Sequence, residues 1–418
     1  MAAAPTVLIF VLVSSLVSLA TQMQAGTTAA RMRDTLEALE SRVKQNPVDY
    51  ETWNRIAEAR LRLLASKGDL ANLQRAAEAV EQSLKASNSE LNHDGLALRV
   101  RVELASHRFK EAQSSAEQLC AIKPDNAHAF GLLGDAYFNL GDYPACERAW
   151  SKMRTLQASV LMTEPRLAQL DLVRGRIDEA HKRYETVIAA AEVLAQESPD
   201  ILAWAHVQLG ELTFRRGDWE SAERDYEAAL AARPDYYAAL EHKAELLGAQ
   251  GKLDEAAALY INLIERLPRP ELLQALGDLY TFANKTTQAE QWYTRALAAY
   301  LDSAGRGESL YFHHLSGLYA DGLKNADHAL EWARKDYALH RGVNACDTLA
   351  WALFKAGQIG EARETILRAL SFGTKDPHIL YHAGTILMSA GDITGGTARL
   401  REALAMNPRY NSFHVHRG

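Results

Sequence analysis

Small and apolar side chains recur along the chain with a period of about 34 residues. One series of positions steps by 34, 34, 42, 34, 33, 39, 34 and 34 residues, and it comprises Val100, Gly134, Ala168, Gly210, Ala244, Gly277, Ser316, Ala350 and Gly384. A second series follows twelve residues after the first, at Ala112, Cys146, Ala180, Ala222, Ala256, Ala289, Ala362 and Gly396, with Ala329 one residue late. Two such positions in each period predict two helices that pack closely together.

Turn residues lie between the two series. A glycine, which readily adopts positive φ at the end of a helix, occupies this place at Gly141, Gly175, Gly217, Gly251, Gly357 and Gly391, and Asn284 occupies it once. An apolar residue then begins the second helix, at Tyr143, Ile177, Trp219, Leu253, Ile359 and Ile393. Prolines are expected to end the second helices, at Pro47, Pro124, Pro199, Pro234, Pro268 and Pro408.

The unit from Ala203 to Pro234 has all of these features in register, namely Leu209, Gly210, Gly217, Ala222, Tyr226, Ala229 and Pro234. It resembles the tetratricopeptide repeat family, whose 34-residue unit is a helix, a turn and a helix. The resemblance implies an all-α fold, a right-handed α-solenoid of about nine to ten such repeats. It also implies that the protein works by binding other proteins.

The ends of the chain differ from the repeats. No charged residue precedes Arg31, and Val7 to Ala20 is almost wholly apolar. We interpret residues 1–25 as a signal peptide or an uncleaved membrane anchor, because the apolar run is shorter than the roughly 20 residues that span a membrane. We therefore expect a protein that is exported to the periplasm or the cell exterior, or anchored by its N-terminus. A simply buried helix is the third alternative.

Residues 26–46 are predicted to form a capping helix that packs on Trp53 and Ile56, residues 47–408 the repeat array, and residues 409–418 a C-terminal tail. Two insertions interrupt the period. The first, at residues 185–200, predicts a second helix that is longer by about two turns. The second, at residues 300–308, predicts either a flexible join or an ordinary longer loop.

The charge and the motifs narrow the function. A net charge of −7, from 46 basic and 53 acidic residues, disfavours nucleic acid as a partner. We find no nucleotide-binding, hydrolase or metalloprotease motif, so we expect no enzyme activity and no cofactor.

Cys146 and Cys346 are interpreted as core thiols. His378 and His382 share a helical spacing that could serve a metal, but we interpret them as surface histidines and expect no metal site.

The family resemblance implies that the first helices of the repeats line a concave groove. The residue after each small position should face this groove, and that series is Arg101, Asp135, Gln169, Glu211, Glu245, Asp278, Gly317, Trp351 and Thr385. Its carboxylates favour a basic partner segment. The candidate binding residues are Asp135, Phe138, Asn139, Trp204, Glu211, Glu245, Asp278 and Phe282. The alternative is that the acids only solvate the helices and that the aromatic residues pack between repeats.

Together these features predict an adaptor in the cell envelope or secretory space, which holds a segment of a protein partner during the assembly of a complex. The alternative is a structural scaffold that assembles with copies of itself through an uncapped C-terminal repeat. A membrane would be contacted only through the N-terminal segment.

Overall fold

The computed structural model describes residues 29–87, 90–195 and 198–408, and these residues form helices joined by short turns, with no β-strand. The first helix, α1 (Ala29–Gln45), precedes ten helix pairs, each made of an A helix and a B helix. The A helices are α2 (Tyr50–Lys67), α4 (His93–Ala105), α6 (Ala127–Leu140), α8 (Val160–Val173), α10 (Pro199–Arg215), α12 (Tyr237–Ala249), α14 (Pro270–Phe282), α16 (Phe312–Gly317), α18 (Val343–Lys355) and α20 (Pro377–Ser389).

The B helices follow them in alternation. They are α3 (Ala71–Ala86), α5 (Phe109–Ile122), α7 (Tyr143–Thr155), α9 (Ile177–Glu192), α11 (Trp219–Ala232), α13 (Leu253–Arg266), α15 (Thr286–Gly305), α17 (Ala326–Leu339), α19 (Ile359–Ser371) and α21 (Ile393–Met406). The predicted all-α solenoid is confirmed. Ten pairs lie at the upper end of the expected repeat number.

The described residues divide into two compact units. Unit 1 contains residues 168–185 and 203–408, and unit 2 contains residues 29–167 and 186–202. Each unit is treated by itself below.

The turns between A and B helices have the backbone that the sequence predicts. All six glycines of the turn series have φ between 70° and 89°, and Asn284 in the same place has φ 58°. His107 lies seven residues after Val100, which is the spacing of the turn glycines from their small positions, and it also has positive φ. Each apolar residue expected to begin a B helix is the first residue of one. The turns therefore fix where these A helices end.

Close packing within each pair depends on the small position of the A helix. In most pairs the residue sixteen positions later, on the B helix, has a large side chain, whereas Val100 and Ala116 reverse the sizes. A Cβ atom on Gly210 would lie 2.5 Å from Tyr226, and one on Gly277 would lie 2.6 Å from Tyr293. Both tyrosines are buried. Glycine is therefore required there by space rather than by backbone conformation.

A π-turn explains the one position at which the period slips. Residues Leu318–Gly322 continue α16 as a π-helix, and the N–H of Leu323 donates to the carbonyl of Leu318, five residues earlier, at 2.8 Å. A π-turn adds one residue to a helix without changing its ends. Ala329 is consequently one residue late in the sequence, yet it is fully buried like the other members of its series.

The two insertions take a different form from the one expected. The first is divided between α9, which ends at Glu192, and α10, which begins early at Pro199. Pro199 thus begins a helix instead of following one, because proline fits the first helical turn, where its missing N–H costs nothing. In the second insertion, residues 300–305 belong to α15, so the prediction of a loop is wrong there. The buried hydroxyl of Tyr300 donates to Gln274 at 2.9 Å and holds this end of the helix in the core.

The predicted N-terminal cap corresponds to α1, which packs on α2. The predicted signal or anchor, residues 1–25, and the predicted tail, residues 409–418, lie outside the described residues. Within the described part, none of the helices is both long and apolar enough to cross a membrane.

The beginning and the end of unit 1 are in contact. Arg215, at the end of α10, forms an ion pair with Asp376, which precedes α20, at 3.0 Å. Gly175 lies against the backbone of Gly373, and Gly217 lies against the side chain of Asn407. The last repeat of the chain is therefore held by turns that lie some 160 to 200 residues earlier in the sequence.

The packing at Gly210 can be tested by adding a single methyl group. We expect Gly210→Ala to destabilise unit 1 by about 1–3 kcal/mol, because the new Cβ would force Tyr226 out of its place. Gly317→Ala is the matched control on another A helix, where a Cβ would meet nothing within 4 Å. The control should gain up to about 1 kcal/mol from helix propensity. Thermal unfolding of both variants provides the measurement, and equal melting temperatures would contradict the packing argument.

Candidate partner-binding site

Three of the predicted carboxylates lie on successive A helices of unit 1. Glu211 is on α10, Glu245 on α12 and Asp278 on α14, and all three are half-buried. We call these three residues the acidic row. Each is adjacent in sequence to a small position, so the close packing of the helix pair fixes the place of its carboxylate.

Buried tyrosines from the B helices lie between members of the row. Desolvation, together with the negative charges of Glu245 and Glu211, raises the pKa of Tyr226. Desolvation and the charges of Glu245 and Asp278, among others, raise the pKa of Tyr260 in the same way. Both hydroxyls are buried and have no hydrogen-bond partner among the described residues. They are neutral donors placed beside carboxylates.

The members of the row differ in the partners they already have. Glu211 accepts a hydrogen bond from Arg215, which also binds Asp376. Asp278 accepts a hydrogen bond from the hydroxyl of Tyr293 at 2.8 Å, and its other oxygen, Oδ2, is buried without a hydrogen-bond partner in the described part of the chain. Burial raises the pKa of Asp278. A donor brought to Oδ2 would therefore be bound favourably.

His242 places a positive charge next to Glu245. Its Nδ1 lies 3.2 Å from Glu245 Oε2. Burial disfavours the charged imidazole, but the hydrogen bond to Glu245 and the charges of Glu211, Glu245 and Glu241 outweigh burial and raise the pKa of His242 to about 9. His242 is thus protonated at neutral pH, and it neutralises part of the acidic row.

The other predicted site residues of unit 1 are aromatic. Trp204 is buried and packs edge-on against Tyr184, with ring centroids 6.4 Å apart. Phe282 is half-buried at the end of α14. The packing alternative therefore describes Trp204 better than a role as an exposed anchor.

The candidates in unit 2 form a core cluster of their own. Asp135 is 1% exposed, and Arg166 donates to both of its carboxylate oxygens at 2.7 Å. Asn139 is also buried, and its side chain donates to the backbone carbonyl of Asp135. Phe138 stacks on Trp150, with centroids 5.5 Å apart. Asp135 neither solvates its helix nor presents a free carboxylate, because a residue of the next A helix neutralises it.

Two cysteines and two histidines complete the chemistry that the sequence singled out. Cys146 and Cys346 are fully buried, and burial raises the pKa of Cys346 to about 11, so this thiol is protonated at neutral pH. His378 is half-buried, whereas His382 is only 2% exposed. The interpretation of His382 as a surface residue is wrong, because α20 packs this face against α18. Asp347 of α18 accepts a hydrogen bond from it at 2.9 Å.

Comparisons with known proteins found one matching family and several similar solved structures. The tetratricopeptide repeat family matches at residues 97–150, 207–268 and 243–304. The human IFIT1 dimer with PPP-AAAA has 15% sequence identity and a TM-score of 0.46, over 90% of this chain and 86% of that chain. The Cut9–Hcn1 hetero-tetramer of the APC/C has 14% identity and a TM-score of 0.38, over 92% and 89% of the two chains. No curated protein matches the sequence.

The helix pairs and their packing define an α-solenoid built from repeated units. The family match identifies the units within residues 97–150 and 207–304 as tetratricopeptide repeats, as the sequence predicts. Repeats of this kind support a protein–protein interaction scaffold.

The charge on His242 gives a pH dependence with a definite sign. Its pKa is raised from about 6.5 in an unfolded chain to about 9. Its contribution to stability is therefore complete below about pH 6.5 and is lost as the pH rises through about 9. We expect the difference in melting temperature between the wild type and His242→Gln to shrink over that interval.

Glu245→Gln serves as the comparison, because it removes the hydrogen bond that favours the imidazolium. In that background the loss should occur at lower pH. A wild-type advantage over His242→Gln that does not change between pH 6 and about 10 would contradict the assignment.

Proposed function

We propose that unit 1 binds a Lys- or Arg-bearing segment of a protein partner along the acidic row. Asp278 is the observation that carries this proposal, because it has one buried oxygen without a hydrogen-bond partner among the described residues. Leaving a buried acceptor unsatisfied costs about 1–3 kcal/mol, and a cationic donor from a partner would recover that cost.

The two tyrosine hydroxyls support the same site. Tyr226 and Tyr260 each place a neutral, buried hydroxyl beside the row, so no second cation from the B helices competes for its carboxylates there. The partner segment is expected to direct its basic side chains at these carboxylates.

Arg215 and His242 set a limit on the affinity. A basic side chain that approaches Glu211 competes with Arg215, and one that approaches Glu245 competes with His242. Exchange of one cation for another gains little free energy at these two positions, so charge would mainly accelerate association and exclude acidic partners. The net gain is expected at Asp278.

We propose that the protein acts by binding and not by catalysis. The buried Cys346 thiol, with its pKa raised to about 11, is a poor nucleophile and supports this view. The competing proposal, self-assembly, is supported by a different observation. Ile393 and Leu404, on α21 of the last repeat, are 56% and 55% exposed.

The acidic row is tested with two synthetic peptides that have the same apolar residues, one carrying lysines and the other glutamates in their place. We expect the full-length protein to bind only the lysine peptide, and to bind it less tightly as salt rises. Asp278→Asn combined with Glu245→Gln should weaken this binding more than about tenfold, because it removes the carboxylate at which the net gain is expected and one of its neighbours in the row.

The matched control is Glu255→Gln with Glu290→Gln, which changes the net charge equally but on exposed positions of B helices. Equal weakening by both pairs would show that only overall charge matters and would contradict a defined site. If neither peptide binds and the mass measured by light scattering rises with concentration, self-assembly becomes the better proposal.

We further propose that the protein is exported or held at a membrane by its N-terminus, on the basis of the apolar run Val7 to Ala20. N-terminal sequencing of the protein isolated from its source tests this. A first residue near Gly26 indicates cleavage and export. An intact N-terminus in the membrane fraction indicates an anchor, and an intact N-terminus in the soluble fraction contradicts both.

A further inference from the structure

Three side chains that can bind metal ions meet between the last two repeats of unit 1. Asp347 lies on α18, whereas His378 and His382 lie on α20, four residues apart and therefore on one face of the helix. The potential ligand atoms of the three residues all lie within 4.8 Å of one another, and this is the only such cluster within residues 29–87, 90–195 and 198–408. The sequence shows the two histidines, but only the packing of α18 on α20 adds the carboxylate.

The distances are close to those of a metal site. Nδ1 of His382 lies 2.9 Å from Oδ1 of Asp347, and Nε2 of His378 lies 4.0 Å from Oδ2 of the same carboxylate. Zinc binds such ligands tetrahedrally at about 2.0–2.2 Å, which places ligand atoms about 3.3 Å apart. The separations of 2.9 and 4.0 Å lie on either side of this value.

Neighbouring residues hold His382 in place. Its ring stacks on Trp351, with centroids 4.0 Å apart and planes 10° from parallel. Trp351 Nε1 in turn donates to both carboxylate oxygens of Asp321, at 3.2 and 3.1 Å. Asp321 belongs to the π-turn, and Lys355 lies 3.3 Å from it. Fixed orientation of a histidine ligand by its surroundings is a regular feature of metal sites.

His378 distinguishes a metal site from a simple buried hydrogen bond. Nδ1 of His382 already forms a hydrogen bond with Asp347, yet Nε2 of His378 also lies 4.0 Å from that carboxylate. The side chain of His378 is 20% exposed, so an ion can reach the cluster from solvent and keep a water molecule as its fourth ligand. Two imidazoles and a carboxylate form a ligand set suited to zinc and related transition metals, and not to magnesium or calcium.

We propose that Asp347, His378 and His382 bind one Zn²⁺ ion, which links α18 to α20. Such an ion would stabilise the last repeat by joining it to the repeat before it, and its effect on unfolding would follow from binding to the folded state alone. This site is separate from the acidic row, so the two proposals can fail independently.

The test uses the full-length protein without a histidine tag, after treatment with a chelator. Titration calorimetry with Zn²⁺ should show one ion bound per chain, whereas Mg²⁺ should show no binding. Saturating Zn²⁺ should raise the melting temperature, because the ion binds the folded state.

Two variants and a matched control locate the site. His378→Gln should weaken zinc binding by more than about tenfold. Because His378 is half-buried, we expect this variant to fold as the wild type does. His382→Gln should weaken zinc binding in the same way. His206→Gln, which removes another histidine that pairs with an aspartate, Asp225 at 3.0 Å, should bind zinc as the wild type does.

Three results would overturn the proposal. The first is the absence of stoichiometric zinc binding, and the second is binding by His378→Gln that equals that of the His206→Gln control. The third is loss of binding when His414 and His416 of the tail are both replaced by Gln in the full-length protein, with binding retained in His378→Gln.

Discussion

The structure depends on one close contact, which recurs in the helix pairs. A small residue on the A helix lies against a large side chain of the B helix sixteen positions later, as Gly134 lies against Trp150 and Gly210 against Tyr226. Because the space is filled to van der Waals contact, each pair can adopt only one crossing. The turn of positive φ then returns the chain at a fixed point, so one local rule is enough to build a long array of repeats.

The same contact determines where polar groups go. The residue that follows the small position also lies toward the interior, and the side chains of Arg101, Asp135 and Gln169 are less than one tenth exposed. Polar groups placed there need partners from neighbouring repeats, because isolated burial is costly. Arg166 donates hydrogen bonds to Asp135, whereas Asp278 accepts a hydrogen bond on only one oxygen, from the hydroxyl of Tyr293. A single sequence position thus serves as a core ion pair in one repeat and as a candidate contact in another.

The two proposed binding sites depend on these differences between repeats. In unit 1 the acidic row and the cluster of Asp347, His378 and His382 lie on A helices, and the tyrosines reach the row from B helices. The ion pair between Arg215 and Asp376 connects the first of these helices to the last repeat. A protein-binding scaffold benefits from such connections, because rigid placement of the binding groups reduces the entropy lost when a partner binds.

The sequence by itself determined the repeat, the turns and most of the helix boundaries, because these depend on local spacing, on proline and on glycine. Even the π-turn left a trace in the one-residue delay of Ala329. The partners of the polar residues could not be predicted in this way. Asp135 and Arg166 are 31 residues apart, Asp347 and His382 are 35 apart, and Arg215 and Asp376 are 161 apart. Burial, neutralisation and the metal cluster arise only where different repeats touch, and those contacts are set by packing in three dimensions.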